Sequence, residues 1–234
     1  MPEIKRKKRK ANPKSPKTLK ANKVNRLAFE FTVITTSFHE AGHALSALLN
    51  FGYVHCVSLQ ISKNKKTPEY LGEARYDGAA NLGTVSDPDL INWLVLSDIT
   101  IYQSGLASEK IFYKEICGTS KVPYIIKEGS QIDFSYVSEI VKKYDLAPPG
   151  KKRYLFKNKM FRATQHLLQE NWGDVIIIAH ALFQSRKLTH LDLKSLLLRK
   201  SINKKFWKEQ FKNIELLNNN TELTDSQIKK IIKL

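Results

Sequence analysis

Between Leu27 and Asn50 the apolar residues Phe31, Ile34, Phe38, Ala41, Leu45 and Leu48 recur at steps of three and four, the spacing of one helix face. The run closes at Asn50-Phe51-Gly52, where Asn and Gly accept the left-handed conformation that ends helices. The period then changes. Val54–Ile61 and Leu71–Tyr76 read as two short strands, and the Lys-, Asn- and Pro-bearing loop between them favours an antiparallel pair. Further on the helical rhythm returns at about 87–116, 131–144, 157–171, 173–185 and 190–199, broken by Gly118, Pro148-Pro149-Gly150 and Gly173. The predicted fold is mainly α with a small β-hairpin packed beside the first helix. Past Arg199, Phe206, Trp207, Phe211, Ile214 and Leu217 keep a helical spacing up to Asn218-Asn219-Asn220. Residues 201–234 therefore read as a basic helical tail docked on the domain, the alternative being an amphipathic helix for a partner or a membrane surface.

Composition agrees with a globular protein of one main domain. In 234 residues, 42% are hydrophobic and 26% charged, enough apolar surface for a core and too much for a disordered or fibrous chain. Charge is uneven. The net value is +17, and residues 1–26 hold eleven basic residues against one acidic, with three prolines and few large apolar groups. That segment reads as a basic arm unable to fold by itself, leaving 27–200 as the domain. An arm of this kind offers nonspecific contact to nucleic acid or an anionic surface, but no zinc-finger spacing or RNP-like strand accompanies it.

Cys56 and Cys117 lack the CxxC spacing of a structural metal site and are read as reduced core residues. No apolar segment follows Lys5-Arg6-Lys7-Lys8-Arg9-Lys10, so a secretory signal is not expected. The stretch Ala44–Ser62, free of Asp, Glu, Lys and Arg, is punctuated by Asn50, Gly52 and His55, so a transmembrane helix is not expected either. The expected location is the cytoplasm.

One motif carries chemistry. His39-Glu40-Ala41-Gly42-His43 is HExxH, and it lies inside the first helix. Residues i and i+4 stand about 40° apart around a helix axis, so two imidazoles at that spacing converge on one Zn²⁺. Zinc lowers the pKa of water and polarises a carbonyl, while Glu40, one step round the turn, is placed to accept a proton and return it to a leaving amine. Gly42 sits in mid-helix, where glycine is unfavourable by about 1 kcal/mol relative to Ala, and so marks close approach of another element. His55, His166, His180 and His190 read as structural or surface residues.

Ser37–Leu45, the strand pair after it, the small-residue segment Ser104-Gly105-Leu106-Ala107-Ser108-Glu109, the segment Gly129-Ser130-Gln131-Ile132-Asp133-Phe134 and the terminal stretch from Trp172 to Asp192 resemble the peptidase domain of the FtsH-type ATP-dependent zinc proteases. The likeness covers about 30–200 and implies a zincin-like helical metallopeptidase with Asp133 as the third zinc ligand beside His39 and His43, and Glu40 as the catalytic base. Glu109 is the competing third ligand; otherwise it orients a histidine through its other ring nitrogen. The family couples this domain to an AAA+ ATPase and a membrane anchor. Here no GxxxxGK[ST] occurs, and the nearest approach, Gly78–Thr84, lacks the lysine.

The resemblance thus implies a stand-alone zinc endopeptidase acting on peptides or unfolded protein, served by a separate unfoldase, with homo-oligomerisation open. Two other classes stay open at this level. One is an inactive peptidase-like module that regulates a protein partner through its basic tails, and the other is a nucleic-acid-associated protein.

Overall fold

The computed structural model describes residues 16–50, 54–61, 70–76, 87–119 and 130–201, with short helical pieces at 204–206 and 208–209. Six longer helices and three strands are found among them: α1 (Pro16–Leu49), β1 (Val54–Ile61), β2 (Tyr70–Tyr76), α2 (Pro88–Glu115), α3 (Gln131–Lys143), α4 (Lys151–Glu170), α5 (Trp172–Ser185), β3 (Lys187–Thr189) and α6 (His190–Lys200). The architecture is mainly helical with a small three-stranded antiparallel sheet in the order β2-β1-β3. None of the described helices is long and apolar enough to cross a membrane.

α1 and α2 form the centre. The apolar face anticipated for α1 is buried at Phe38, Ala41, Leu45 and Leu48, and it shares one core with Ile101, Ala107 and Ile111 of α2 and with Ile178 and Leu182 of α5. Phe38 is sandwiched at the junction, its ring 4.5 Å from Phe112 and 5.5 Å from Trp172. Gly42 marks the crossing: a Cβ there would lie 2.5 Å from the Ser104 carbonyl oxygen and 2.7 Å from Ser108 Cβ. The close approach read from a mid-helix glycine is the α1–α2 contact, and the Ser108 hydroxyl donates across it to the Phe38 carbonyl at 2.6 Å.

α2 begins at a built N-terminus. Asp87 accepts from the backbone N–H of Asp89 at 2.9 Å, and Pro88 occupies the first turn, where a missing N–H is harmless. A second, smaller core of Ile99, Val137, Val141 and Ala147 fastens α3 to α2. That cluster sets where the first turn of α3, with Asp133, comes to lie.

Four differences from the sequence reading have physical causes. α1 starts at Pro16 rather than Leu27, so 16–26 of the expected arm are helix; proline suits a first helical turn, and a packed helix propagates cheaply into Lys, Leu and Ala. α4 starts at Lys151, six residues early, because Lys151-Lys152-Arg153 and the exposed Tyr154 and Leu155 show no apolar face to detect. The expected hairpin gains a third strand, β3, which pairs Val57 with Leu188. The cysteines are free, as expected, but Cys117 is exposed in the turn after α2 and Cys56 is half-buried, so neither is a core residue. Residues 1–15, the glycine-containing segment 78–84 and nearly all of 201–234 lie outside the described residues.

Candidate metal centre

The cluster is assembled from two helices far apart in sequence. His39 and His43 project from successive turns of α1, and Asp133 comes from the first turn of α3. The two Nε2 atoms are 2.9 Å apart, and Asp133 Oδ2 is 3.2 Å from that of His39 and 3.4 Å from that of His43. The three side chains are 12%, 9% and 18% exposed.

Each histidine is turned by its other nitrogen. His43 Nδ1–H donates to the Ile101 carbonyl at 2.7 Å, which leaves Nε2 with its lone pair facing the cluster. On the far side of the His39 ring, Nδ1 lies 3.4 Å from Glu109 Oε1. Of the two carboxylates weighed as a third ligand, the structure brings Asp133 to both Nε2 atoms and puts Glu109 on the outer nitrogen of His39. Gly105 makes room for the rings: a Cβ there would fall on Nε2 of His39 and lie 2.6 Å from that of His43.

Three such atoms converging at these distances need positive charge between them, supplied by a metal ion or by a proton on an imidazole. Donor atoms held about 2.0–2.1 Å from a tetrahedral ion are about 3.3 Å from each other, and the observed separations bracket that edge length. Two imidazoles and a carboxylate are a set that zinc accepts. Asp133 Oδ2 is also buried without a hydrogen bond among the described residues. The residues present therefore fit a metal ion, and the His39/His43/Asp133 cluster could bind one.

The electrostatics point the same way. Burial pushes the Glu40 and Glu109 carboxyls up, against the pull of the two histidines. Burial would also raise Asp133, but the adjoining imidazoles more than reverse this and hold its carboxyl below the usual range. Burial disfavours a charged His39, yet Asp133 and Glu109 overcome that and raise it well above the ordinary value. A chain of net charge +17 has gathered three carboxylates around two imidazoles in its interior, a local demand for positive charge.

The cluster opens on a cleft of about 330 Å³. Glu40 lies at its edge, covered by β2: a Cβ at Gly72 would overlap the Glu40 carboxylate, so the glycine lets the strand pass with that carboxylate in place. Leu71 and Ile132 stand exposed at the rim, and Tyr76 and Tyr102 form the wall, their rings 6.3 Å apart. Burial raises the Tyr76 phenol, which stays protonated and able to donate.

The sequence reading missed Gly72, Tyr76 and Tyr102. Gly72 had a signal, since glycine inside a strand often marks close approach of another group; the tyrosines had none, being joined to the cluster only by tertiary packing. The remaining histidines stand elsewhere: His55 is exposed on β1, and His166 pairs with Glu170 at 3.3 Å on α4. No protein-family model matches the chain, and no curated protein matches it.

Proposed function

We propose that this chain is a zinc-dependent endopeptidase that hydrolyses peptide bonds in peptides or unfolded protein, of the FtsH peptidase type and without an ATPase of its own. One observation carries the proposal: two imidazole Nε2 atoms and a carboxylate oxygen converge within 3.4 Å, beside a buried glutamate and at the floor of an open cleft. His39, His43 and Asp133 would hold the ion. Zinc bound there supplies a Lewis acid for the scissile carbonyl and makes water acidic enough to be deprotonated near neutral pH.

The rest falls to the chain's own groups. Glu40 takes a proton from the attacking water and delivers it to the departing amine, and burial, by raising its pKa, makes the protonated intermediate state accessible. Glu109 and the Ile101 carbonyl fix the rotation of the two imidazoles. Among the described strands β2 lies at the edge of the sheet, and it contributes Leu71–Ala74 to the cleft, so an extended substrate has a strand to pair with. A folded protein does not offer such a segment, hence the substrate class and the need for a separate unfoldase where the target is folded.

The test is cleavage of a dye-quenched unfolded protein by the purified chain and by Glu40→Gln, with zinc measured on both. The proposal expects about one zinc per chain in each and cleavage by the parent alone. Zinc without cleavage in either protein points to a structural site; absence of zinc from both refutes the proposal.

A further inference from the structure

The outer side of α4 is charged against the ordinary preferences of a helix. The helix carries six basic residues, Lys151, Lys152, Arg153, Lys157, Lys159 and Arg162, against one acidic residue, Glu170 at its end. Three of the six fill the first turn, where the helix dipole disfavours cations; no acidic residue stands in that turn and Gly150 supplies no side-chain cap. Lys159 and Arg162, three residues apart, are like charges on neighbouring turns, which also opposes the helix. The inner side keeps α4 in place all the same: Thr164 and Leu168 are buried, Phe161 packs on the main core, and Phe156 and Met160 pack on the smaller one. A local arrangement that is unfavourable for folding, and that folding does not need, marks a surface kept for contact with something else.

The pattern on that side says what. With about 100° between successive residues, Lys151, Lys152, Leu155, Lys159 and Arg162 fall within an arc of about 100°, along about 17 Å of helix. All five are exposed, Leu155 by 53%, and Tyr154 next to them is exposed by 62%. Among the described residues, α4 makes ion pairs through Arg153 with Asp145 and through His166 with Glu170, and none through Lys151, Lys152, Lys159 or Arg162. Four such cations around an exposed leucine call for a partner that supplies both negative charge and an apolar layer. Nucleic acid meets the first demand alone, since its phosphates pair with the cations and leave the leucine in water.

We propose that this face of α4 docks the protein on a bilayer surface bearing anionic lipid headgroups. Lys151, Lys152, Lys159 and Arg162 contact the headgroups, Leu155 enters the acyl boundary, and Tyr154 lies at headgroup level, where an aromatic ring and a hydroxyl are both accommodated. Negative headgroups beside the first turn also offset the misfit between its cations and the helix dipole. The face carries no part of the metal cluster and does not depend on the reading given to that cluster above.

The experiment is co-sedimentation of the full chain with vesicles of phosphatidylcholine alone and of phosphatidylcholine mixed with phosphatidylserine, at physiological salt, with binding of a duplex DNA measured in parallel. Other basic segments of the chain add attraction of their own, so the deciding comparison is between variants of equal net charge: Lys159→Gln with Arg162→Gln on α4, and Arg199→Gln with Lys200→Gln at the exposed end of α6. The expected result is saturable binding to the mixed vesicles and little to phosphatidylcholine. The α4 pair should weaken it about tenfold or more, since each cation at an anionic surface counts about fivefold, and the α6 pair should weaken it about threefold or less. Leu155→Ser should weaken vesicle binding about fivefold and leave DNA binding as it was. All five positions are exposed, and thermal midpoints confirm the fold of each variant. No saturable binding to the mixed vesicles, an α4 pair no weaker than the α6 pair, or vesicle binding unchanged in Leu155→Ser overturns the proposal. DNA bound more tightly than vesicles, lost in the α4 pair and kept in Leu155→Ser, overturns it in favour of nucleic acid.

Discussion

Gly105 stands so close to His39 that a methyl group on its Cα would land on the imidazole Nε2. The glycine is there for want of space. Gly105→Ala should therefore destabilise the fold by about 1–3 kcal/mol, the usual range for overpacking, and reduce metal binding at the same time. Gly173→Ala is the control: nothing lies within 4 Å of the added Cβ in the first turn of α5, so it should be neutral or stabilise by about 0.4–1 kcal/mol. Urea unfolding of the two variants, with metal content of the first, checks the pair.

Asp133 and Glu109 should separate in a metal-affinity measurement. Glu109 touches the outer nitrogen of His39, so Glu109→Gln keeps all three donors and should lower zinc affinity by about 10–100-fold. Asp133→Ala removes a donor and should weaken it further. Competition against a chelating dye gives both numbers, and an order opposite to this would make Glu109 the ligand.

Gly72 touches the proposed chemistry without touching the cluster. A Cβ there would displace the Glu40 carboxylate and leave His39, His43 and Asp133 alone. Gly72→Ala should bind zinc as the parent does yet lose about 10²-fold in turnover, the size expected for misplacing a reacting group by about 1 Å. Matching zinc content with unchanged turnover would mean that Glu40 has no part in catalysis.

The join between β3 and α6 predicts a pH dependence. Thr189 and Asp192 form a capping box: the Asp192 carboxylate accepts from the Thr189 backbone N–H at 2.8 Å and from its hydroxyl at 2.7 Å. The backbone bond first and the hydroxyl second lower the Asp192 pKa in the folded protein. A depressed carboxyl stabilises the fold fully above its unfolded value, about 3.9, and ceases to do so as pH falls through the folded value. At pH 7 Asp192→Asn should be less stable than the parent by about 1 kcal/mol or less, and the gap should close below about pH 4. Thermal midpoints measured from pH 3 to 7 test this.

The sequence carried the parts of the site that lie on one helix. HExxH has the spacing of neighbouring turns, so His39 and His43 could be paired from the chain alone, and Gly42 announced the helix that crosses it. Asp133 was reachable only through resemblance, because no local period links α1 to α3 across some ninety residues. β3 was illegible for a different reason: Lys187, Leu188 and Thr189 form a strand of three residues, too short to alternate, and exist as one only because β1 has a free edge there. Cys117 was misplaced because a residue-type preference for burial says nothing about a position two residues past a helix end.

α2 furnishes a wall to two cavities, with Gly105 against the histidines of the cleft on one side and Gln103 and Lys110 lining a cavity of about 200 Å³ between α2, α3 and α4 on another. A helix tilts or slides as one body, so any change that reseats it is registered on both sides at once. The two cavities therefore share their mutational latitude: a substitution in α2 tolerated by one must also be survivable for the other. Variation in these walls should concentrate on α4, which carries no part of the metal cluster, while α2 is held in place as the common frame.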